Sequence, residues 1–163
     1  MCGIVGYWSS DSPSNMDGQK EILRKMSSRL KHRGPDSNGI FYDQSFNVGL
    51  AHRRLAIIDT SSSGHQPMES ENSRFVISFN GEIYNHQLIR KELLNLNKNI
   101  SWRGSSDTET LLKAIDHWGL QDTLKKIEGM FAFAIWDKKK KDLYLVRDRL
   151  GEKPLYYGFQ KNS

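Results

Sequence analysis

The only cysteine of the chain, Cys2, directly follows Met1, so removal of Met1 would make it the first residue. A thiol attacks as its thiolate, and a free cysteine with a pKa of about 8.5 is mostly protonated at neutral pH, so it needs a base. An α-amino group has an unperturbed pKa of about 7.7–8.0, near the pH at which a general base works best. A processed chain would therefore carry the nucleophile and its base on one residue.

The residues alone leave two other interpretations of Cys2 open. A lone cysteine in a short apolar run is more often a small buried hydrophobic residue than a nucleophile. In a chain that keeps Met1, moreover, the nitrogen of Cys2 is an amide and cannot act as a base. Such a chain would be an inactive precursor or a non-catalytic binding domain.

Strand-like segments cluster towards both ends of the chain, and the first of them contains Cys2. Apolar runs that alternate or are bounded by glycine predict strands. Asn80-Gly81 is the strongest short hairpin signal in the sequence, so it predicts a turn that ends the strand before it. Four lysines, Lys138–Lys141, separate two further apolar runs and predict the tip of a hairpin. The predicted strands cover residues 2–8, 39–43, 46–59, 74–80, 130–137, 142–148 and 154–158.

Helical patterns lie between these groups of strands. Residues 17–31 follow a helical period. Ser106 and Glu109 stand in the spacing of a capping box and mark the clearest helix start in the chain. Two more helices are predicted, one around Leu93 and a short one over residues 122–127. Because strands at both ends flank helices in the middle, we expect an α+β fold with mostly antiparallel sheets.

Length and composition exclude several classes of protein. A chain of 163 residues that is 37% hydrophobic and 26% charged is typical of one globular domain. A single cysteine excludes an internal disulfide framework, and the sequence shows no signal peptide or membrane-spanning run, so we expect a cytoplasmic protein without membrane contact. The net charge of +5 comes mostly from the lysine turn, so nucleic acid is not an expected partner. The five histidines lack metal-ligand spacing, so we expect no metal site.

Eight segments, in order along the chain, resemble the class II glutamine amidotransferase domain, which is the N-terminal nucleophile type. They are similar in particular to the N-terminal half of glutamine-hydrolysing asparagine synthetases, over nearly the whole chain. The fold implied by this resemblance is a four-layer αββα sandwich, in which two antiparallel sheets lie between helices. The segments are MCGIVGYW, HRGPDSNGIF, GLAHRRLAIID, GHQPM, FNGEIYNH, GSSDTETLL, EGMFAFAIWD and RDRLGEKPLYYG.

The resemblance implies a glutaminase reaction. Cys2 attacks the side-chain amide of glutamine, ammonia leaves, and water releases glutamate from the thioester. The side chain of Asn80 and the N–H of Gly81 match the family's donors to the developing oxyanion. From the residues alone this pair is a tight turn, and such a turn could present both donors to one point. The loop Arg33–Asp36 is expected to have a structural role near the site.

The resemblance also implies residues that hold the two charged groups of glutamine. Arg54 matches the carboxylate clamp, since a guanidinium can donate two parallel hydrogen bonds, and Arg53 would point to the opposite face of the strand. Asp107 and Glu82 match contacts to the α-ammonium group. Without the resemblance, Arg54 is a solvated strand charge, Glu82 an exposed hairpin acid, and Asp107 an acid favoured in the first turn of a helix. The remaining implied pocket residues are Leu55, Ile57, Ile58 and Ser106.

In the family, ammonia passes to a C-terminal synthetase domain that activates an acid with ATP and Mg²⁺. The SGGxDS-type pyrophosphate loop of that domain does not occur in this sequence. We therefore expect residues 1–163 to be a glutaminase domain shortened at its C-terminal end, with L-glutamine and a synthetase domain as partners and no cofactor of its own. The ammonia acceptor could be aspartate or the carboxylate of a sugar or other metabolite. A homodimer, and a hydrolase of the same fold that cleaves another amide, also stay open.

Overall fold

The computed structural model describes residues 1–9 and 15–160 of the chain. Within them, two antiparallel sheets lie against each other, with helices on both outer faces. This is the αββα sandwich that the resemblance predicts. The strands are β1 (Gly3–Trp8), β2 (Ser37–Asp43), β3 (Val48–Arg54), β4 (Met68–Glu69), β5 (Phe75–Ile83), β6 (Gly129–Asp137) and β7 (Asp142–Arg147). The α-helices are α1 (Met16–Ser28), α2 (His86–Leu96), α3 (Asp107–Trp118) and α4 (Leu120–Lys126).

The first sheet has the strand order β1-β3-β2, and helix α1 covers its outer face. Leu23 of α1 is fully buried against β3. Gly49 of β3 makes room for it, because a Cβ atom there would lie 2.8 Å from Leu23 Cδ1. Arg53 points to the same outer side, where its Nε donates to the carbonyl oxygen of Ser27 at 3.2 Å. The prediction that Arg53 and Arg54 face opposite ways is therefore confirmed.

The inner faces of the two sheets meet through alternate residues of their strands. Val48 and Leu50 of β3 contact Val76 of β5 and Trp136 of β6 in one buried cluster. His52 continues this series, with Nε2 3.0 Å from the carbonyl oxygen of Phe79. The same alternation directs Arg54 to the inner side, at the end of β3. The sheet interface is thus apolar at one end and polar at the other.

The second sheet has the strand order β4-β5-β6-β7, and helix α3 packs on its outer face. Helices α2 and α4 lie against α3. Alternate residues of β5 face α3, while Val76, Ser78 and Asn80 face the first sheet. The large core cluster on the helical side contains Met68, Phe75, Ile77, Phe79, Ile83, Leu111, Leu112, Ile115, Ile127, Phe131, Phe133 and Ile135.

Helix α3 starts at the predicted cap. The Oγ of Ser106 accepts the N–H of Glu109 at 3.2 Å, which satisfies one of the free donors of the first turn. The carboxylate of Glu109 accepts the N–H groups of Arg103 and Gly104 instead of returning to Ser106. Glu109 therefore fixes the loop before the helix, and Ser106 fixes the first turn, which contains Asp107.

The predicted turn at Asn80-Gly81 is wrong. Strand β5 continues through both residues to Ile83, and Gly81 pairs with Phe131 of β6. A Cβ atom on Gly81 would collide with the carbonyl oxygen of Met130. Glycine is therefore needed here because two strands approach closely, and it does not mark a turn. Glu82 is accordingly part of a strand and not an exposed hairpin acid.

Two predicted strands also differ in extent or are absent. The segment 46–59 forms β3 only as far as Arg54, because the chain then turns away and the N–H of Ala56 donates to the carboxylate of Asp36 at 2.8 Å. Residues 154–158 form no strand, since they find no strand partner among the described residues. The lysine segment is a turn between β6 and β7, as predicted. No helix in the described part of the chain has the length and apolarity needed to cross a bilayer.

Candidate active site

A cleft at the polar end of the sheet interface contains the thiol of Cys2. The start of β1, the end of β3, the last part of β5 and the start of α3 all meet there. All ten residues that the resemblance implied for the site line this cleft: Cys2, Arg54, Leu55, Ile57, Ile58, Asn80, Gly81, Glu82, Ser106 and Asp107. The structure therefore brings together side chains that lie up to about a hundred positions apart in the sequence.

The Cys2 thiol lies against the backbone of Leu55. The N–H of Leu55 donates to Sγ at 3.4 Å, and the carbonyl oxygen of the same residue is 3.7 Å from Sγ. Burial raises the pKa of the thiol, and this effect outweighs the N–H of Leu55, which lowers it. The thiol is thus protonated at neutral pH and needs a base before it can attack.

Met1 lies at the cleft beside the thiol and is half exposed. Its Sδ is 3.3 Å from Nζ of Lys153 and 4.0 Å from a guanidinium nitrogen of Arg33. The Nε of Arg33 donates to the carbonyl oxygen of Cys2 at 3.0 Å, so the predicted structural role of the Arg33–Asp36 loop near the site is confirmed. In this chain the nitrogen of Cys2 is an amide, so only a chain without Met1 can use it as a base.

Asn80 presents a free side chain to the cleft. It is 4% exposed, and its amide makes no hydrogen bond to any residue of the described ranges 1–9 and 15–160. The amide atoms are not among the enclosed unpartnered atoms of the described residues, so a ligand or water in the cleft can reach them. Its place in a cleft with the thiol makes it a candidate donor to a reacting carbonyl oxygen.

The N–H of Gly81 points towards the same cleft. In β5 the N–H groups of Phe79 and Ile83 turn away from β6 and donate to the side chains of Gln66 and Asp107, at 2.7 and 3.0 Å. Gly81 lies between them with the same parity, so its N–H has the same direction. Phe131, which pairs with Gly81, directs both its backbone groups to Asp148 on the other side.

Arg54 forms a largely buried cation at one wall of the cleft. Its guanidinium donates to the carbonyl oxygens of Asp59 and Ser61, the latter at 2.8 Å. Gly64 provides the space, because a Cβ atom there would collide with this guanidinium. Two of the five N–H donors are thus used to fix the side chain, and the others are available to a carboxylate.

Asp107 is the buried acid of the cleft. Its carboxylate accepts the N–H groups of Ile83 and Thr108, at 3.0 and 2.9 Å. Burial nevertheless raises the pKa of this carboxyl to about 6, and the neighbouring Glu82 adds to the effect. Asp107 is therefore mostly ionised at neutral pH but lacks a cation partner among the described salt bridges. A bound ammonium group would supply one.

The loop after β3 forms the rim of the cleft. Ile57 is 72% exposed and Ile58 is 37% exposed, so both lie at the open edge of the cleft. Asp59 anchors the end of the loop, because its carboxylate accepts N–H groups of Ser61 and Ser105. Ser106 uses its hydroxyl oxygen as the helix cap, so it lines the cleft with a side chain that is already engaged.

Besides Asp59, three further polar residues of the cleft were not predicted from the sequence: Gln66, Thr108 and Lys153. Gln66 and Lys153 lie in the segments GHQPM and RDRLGEKPLYYG, which contribute to the resemblance but have no chemical pattern of their own. Thr108 follows Asp107 directly, and its sequence position indicates only an ordinary residue of a helix. Their partners come from distant parts of the chain, so spacing along the sequence gave no signal for them.

No group of three or more His, Cys, Asp or Glu side chains suited to a metal ion occurs in the described part of the chain. The groups that the resemblance implied for chemistry are thus the Cys2 thiol, the Arg54 guanidinium, the carboxylates of Glu82 and Asp107, and the donors of Asn80 and Gly81.

The αββα sandwich, with Cys2 directly before its first strand, has the fold of the N-terminal nucleophile amidotransferases. The structure of glutamine phosphoribosylpyrophosphate amidotransferase from Bacillus subtilis, complexed with ADP and GMP, matches 83% of this chain and 34% of its own, with a TM-score of 0.60. At 20% sequence identity, this match supports the fold alone.

The chain belongs to the family of glutamine amidotransferase domains, whose family model matches residues 1–163. It is 43% identical to glutamine-hydrolysing asparagine synthetase 1 of Bacillus subtilis, over 96% of this chain and 24% of that protein. It is 40% identical to putative glutamine-hydrolysing asparagine synthetase 2 of Methanocaldococcus jannaschii, over 100% of this chain and 33% of that protein. The chain thus spans a quarter to a third of the length of these relatives.

Proposed function

We propose that the chain, after removal of Met1, hydrolyses the side-chain amide of glutamine through a thioester on Cys2. The observation that carries this proposal is the meeting, in one cleft, of the thiol with a free amide, a buried cation and a buried acid. Membership of the glutamine amidotransferase domain family supports glutamine as the substrate.

The proposed reaction begins with a proton transfer from the Cys2 thiol to the α-amino group of the same residue, directly or through a water. The sulfur then forms a bond to the amide carbon of glutamine, and the carbonyl oxygen becomes an oxyanion. We assign Nδ2 of Asn80 and the N–H of Gly81 as the donors to that oxygen. The α-ammonium group returns its proton to the leaving nitrogen, so ammonia departs and a thioester remains.

Hydrolysis completes the cycle. The neutral α-amine takes a proton from water, the hydroxide attacks the thioester carbon, and the same two donors hold the second oxyanion. The carbon–sulfur bond breaks, the proton returns to sulfur, and glutamate leaves. The reaction needs only groups on this chain, so we propose no cofactor for it.

We assign Arg54 to the α-carboxylate of glutamine and Asp107 to its α-ammonium group. The remaining N–H groups of the Arg54 guanidinium can bind a carboxylate in a two-pronged manner. Asp107 and Glu82 place negative charge on the α3 side of the cleft, where an ammonium group would find its partner. Opposite charges at separate points of one cleft would fix the orientation of the substrate.

We further propose that the released ammonia serves asparagine synthesis. The relatives are glutamine-hydrolysing asparagine synthetases, three or four times as long as this chain. The ATP- and Mg²⁺-dependent activation of the acceptor would take place in a synthetase domain outside residues 1–163. The names of the relatives favour aspartate as the acceptor over other carboxylates.

The proposal is tested by intact mass spectrometry with and without a glutamine analogue that carries an electrophilic chloroketone. The mass of the untreated protein reports whether Met1 has been removed. Treated wild-type protein should gain one adduct on Cys2 and should release ammonia from glutamine, whereas Cys2→Ala should do neither. A processed protein that shows no adduct and no ammonia release would contradict the proposed function.

A further inference from the structure

The proposed oxyanion donors lie on an edge of β5 that no strand within residues 1–9 and 15–160 covers. Strand β4 pairs with β5 at Val76 and Ile77, and residues 79–82 of β5 line the cleft. Side chains take over the role of the missing strand at two points, Phe79 and Ile83. Asn80 and Gly81 lie between these two points.

His52 holds the carbonyl oxygen of Phe79. Its ring is fully buried between the sheets, and Nε2 lies 3.0 Å from that oxygen. Because a carbonyl oxygen only accepts, Nε2 must carry the proton. Burial lowers the pKa of His52 to about 4, and Nδ1 has no hydrogen-bond partner among the described residues. His52 is therefore a neutral ring whose one donor is used in a contact to the backbone of β5.

The side chain of Gln66 binds the backbone N–H of Phe79. Its Oε1 accepts the N–H of Phe79 at 2.7 Å, and its Nε2 donates to Oγ1 of Thr108 at 3.2 Å. Gln66 is 6% exposed. Since Thr108 follows Asp107 in α3, Gln66 connects the strand of the oxyanion donors to the helix that carries the acid of the cleft.

We propose that His52 and Gln66 are positioning residues of the reaction, which fix the peptide of Phe79 and thereby aim Asn80 and Gly81 at the oxyanion. This inference rests on the proposed function. One side chain from β3 and one from the loop before β4 restrain the donor and the acceptor of a single residue, directly before the two catalytic donors. Asp107 restrains Ile83 on the other side. Displacement of reacting groups by about 1 Å can cost a hundredfold in rate, so this restraint has a catalytic consequence.

The test replaces His52 by Leu and by Gln in processed protein and measures kcat and KM for glutamine hydrolysis. Leu removes the donor, whereas Gln keeps an N–H at a similar distance from Cβ. His52→Leu should lower kcat about tenfold or more with KM within about twofold, because oxyanion stabilisation changes and substrate binding does not. His52→Gln should restore most of kcat. The number of reactive sites, counted with the chloroketone analogue, corrects for unfolded protein.

Gln66→Met is the second variant and should also lower kcat more than it changes KM. Ser78→Ala is the matched control, since Ser78 is buried next to Phe79 and its Oγ donates across the interface to Ala51 O at 3.2 Å. That variant should lose a similar hydrogen bond and keep kcat. If His52→Leu and Gln66→Met keep the wild-type kcat, or if Ser78→Ala loses as much kcat as they do, the inference about His52 and Gln66 is overturned. Neither result would affect the proposed function. A processed wild type without glutaminase activity would overturn the proposed function together with the inference.

Discussion

Asp107 experiences opposite requirements from folding and from the proposed substrate. Burial raises the pKa of its carboxyl to about 6, from an ordinary value near 3.8. The folded protein therefore binds this proton more tightly than the unfolded chain does. The stability contributed by that proton is fully present below pH 3.8 and is lost as the pH rises through about 6. An α-ammonium group, in contrast, needs the carboxylate. The proposed recognition of glutamine would therefore use a charge that the fold maintains at some cost.

We expect the affinity for glutamine to decrease about tenfold per pH unit once the pH falls well below the pKa of Asp107. Isothermal titration of glutamine into the inert variant Cys2→Ala measures this without turnover. Asp107→Asn in the same background should bind weakly at every pH. It should also lack the decrease in unfolding free energy that wild type shows on going from about pH 4 to about pH 6.5. Equal affinities of Cys2→Ala on both sides of this range would exclude Asp107 from ammonium binding.

Arg54→Lys tests the carboxylate clamp with the charge retained. Lysine is a point charge and cannot offer two parallel N–H donors. Loss of a charge-assisted hydrogen bond of about 1.5–3 kcal/mol should raise KM for glutamine by roughly ten- to a hundredfold, with a smaller effect on kcat. Arg53→Lys, on the opposite face of β3, is the matched control and should leave KM unchanged. Steady-state glutaminase kinetics give both constants, and an unaltered KM in Arg54→Lys would refute the clamp.

Asn80→Ala should have the opposite kinetic signature. Removal of one oxyanion donor lowers kcat by about a hundred- to a thousandfold in other acyl-transfer enzymes, because the lost interaction exists mainly in the transition state. Glutamine binding to the ground state should change much less. Steady-state measurement of kcat and KM in the processed wild type and in Asn80→Ala tests this expectation. Near-normal kcat in Asn80→Ala would remove this residue from the oxyanion role.

Strand β5 shows how one element serves both the fold and the site. Its residues facing α3 belong to the core, whereas Asn80 faces the cleft and Gly81 allows β6 to approach. Gly81→Ala should destabilise the protein by about 1–3 kcal/mol, because an added methyl group overpacks a closed strand pair. Gly18→Ala in α1 is the control. Its nearest neighbour atom would be 3.6 Å away, and it should gain up to about 1 kcal/mol in helix stability. Urea unfolding of both variants measures these differences.

The sequence predicted elements where local chemistry determines structure. Ser106 is a cap by residue type and position, and the αββα order follows from the resemblance. Asn80-Gly81 was misread because a turn and a close strand contact both require glycine, and only the partner strand distinguishes them. The roles of His52 and Gln66 were not predicted, since both bind backbone atoms, which have no residue type to recognise.

At the scale of the whole molecule, the reaction depends on the position of the chain's first atoms. Cys2 lies directly before β1, at the end of the sheet interface where Arg54, Asn80 and Asp107 line the cleft. A freed α-amine of Cys2 would therefore lie in the same cleft as its thiol. The two sheets and their helices hold this geometry, but in the proposed mechanism the base exists only after removal of Met1. The fold alone should therefore not be sufficient for activity.

Insertion of one alanine between Met1 and Cys2 separates these two requirements. Removal of Met1 would then leave an α-amine on the alanine, while the nitrogen of Cys2 becomes an amide that cannot accept a proton. The fold, the thiol and the substrate groups remain, so unfolding by urea should be nearly unchanged. Ammonia release should fall by about a hundredfold or more, in the range attributed to general acid–base catalysis. Intact mass verifies the new N-terminus, and an inserted variant that keeps wild-type kcat would show that another group removes the proton from Cys2.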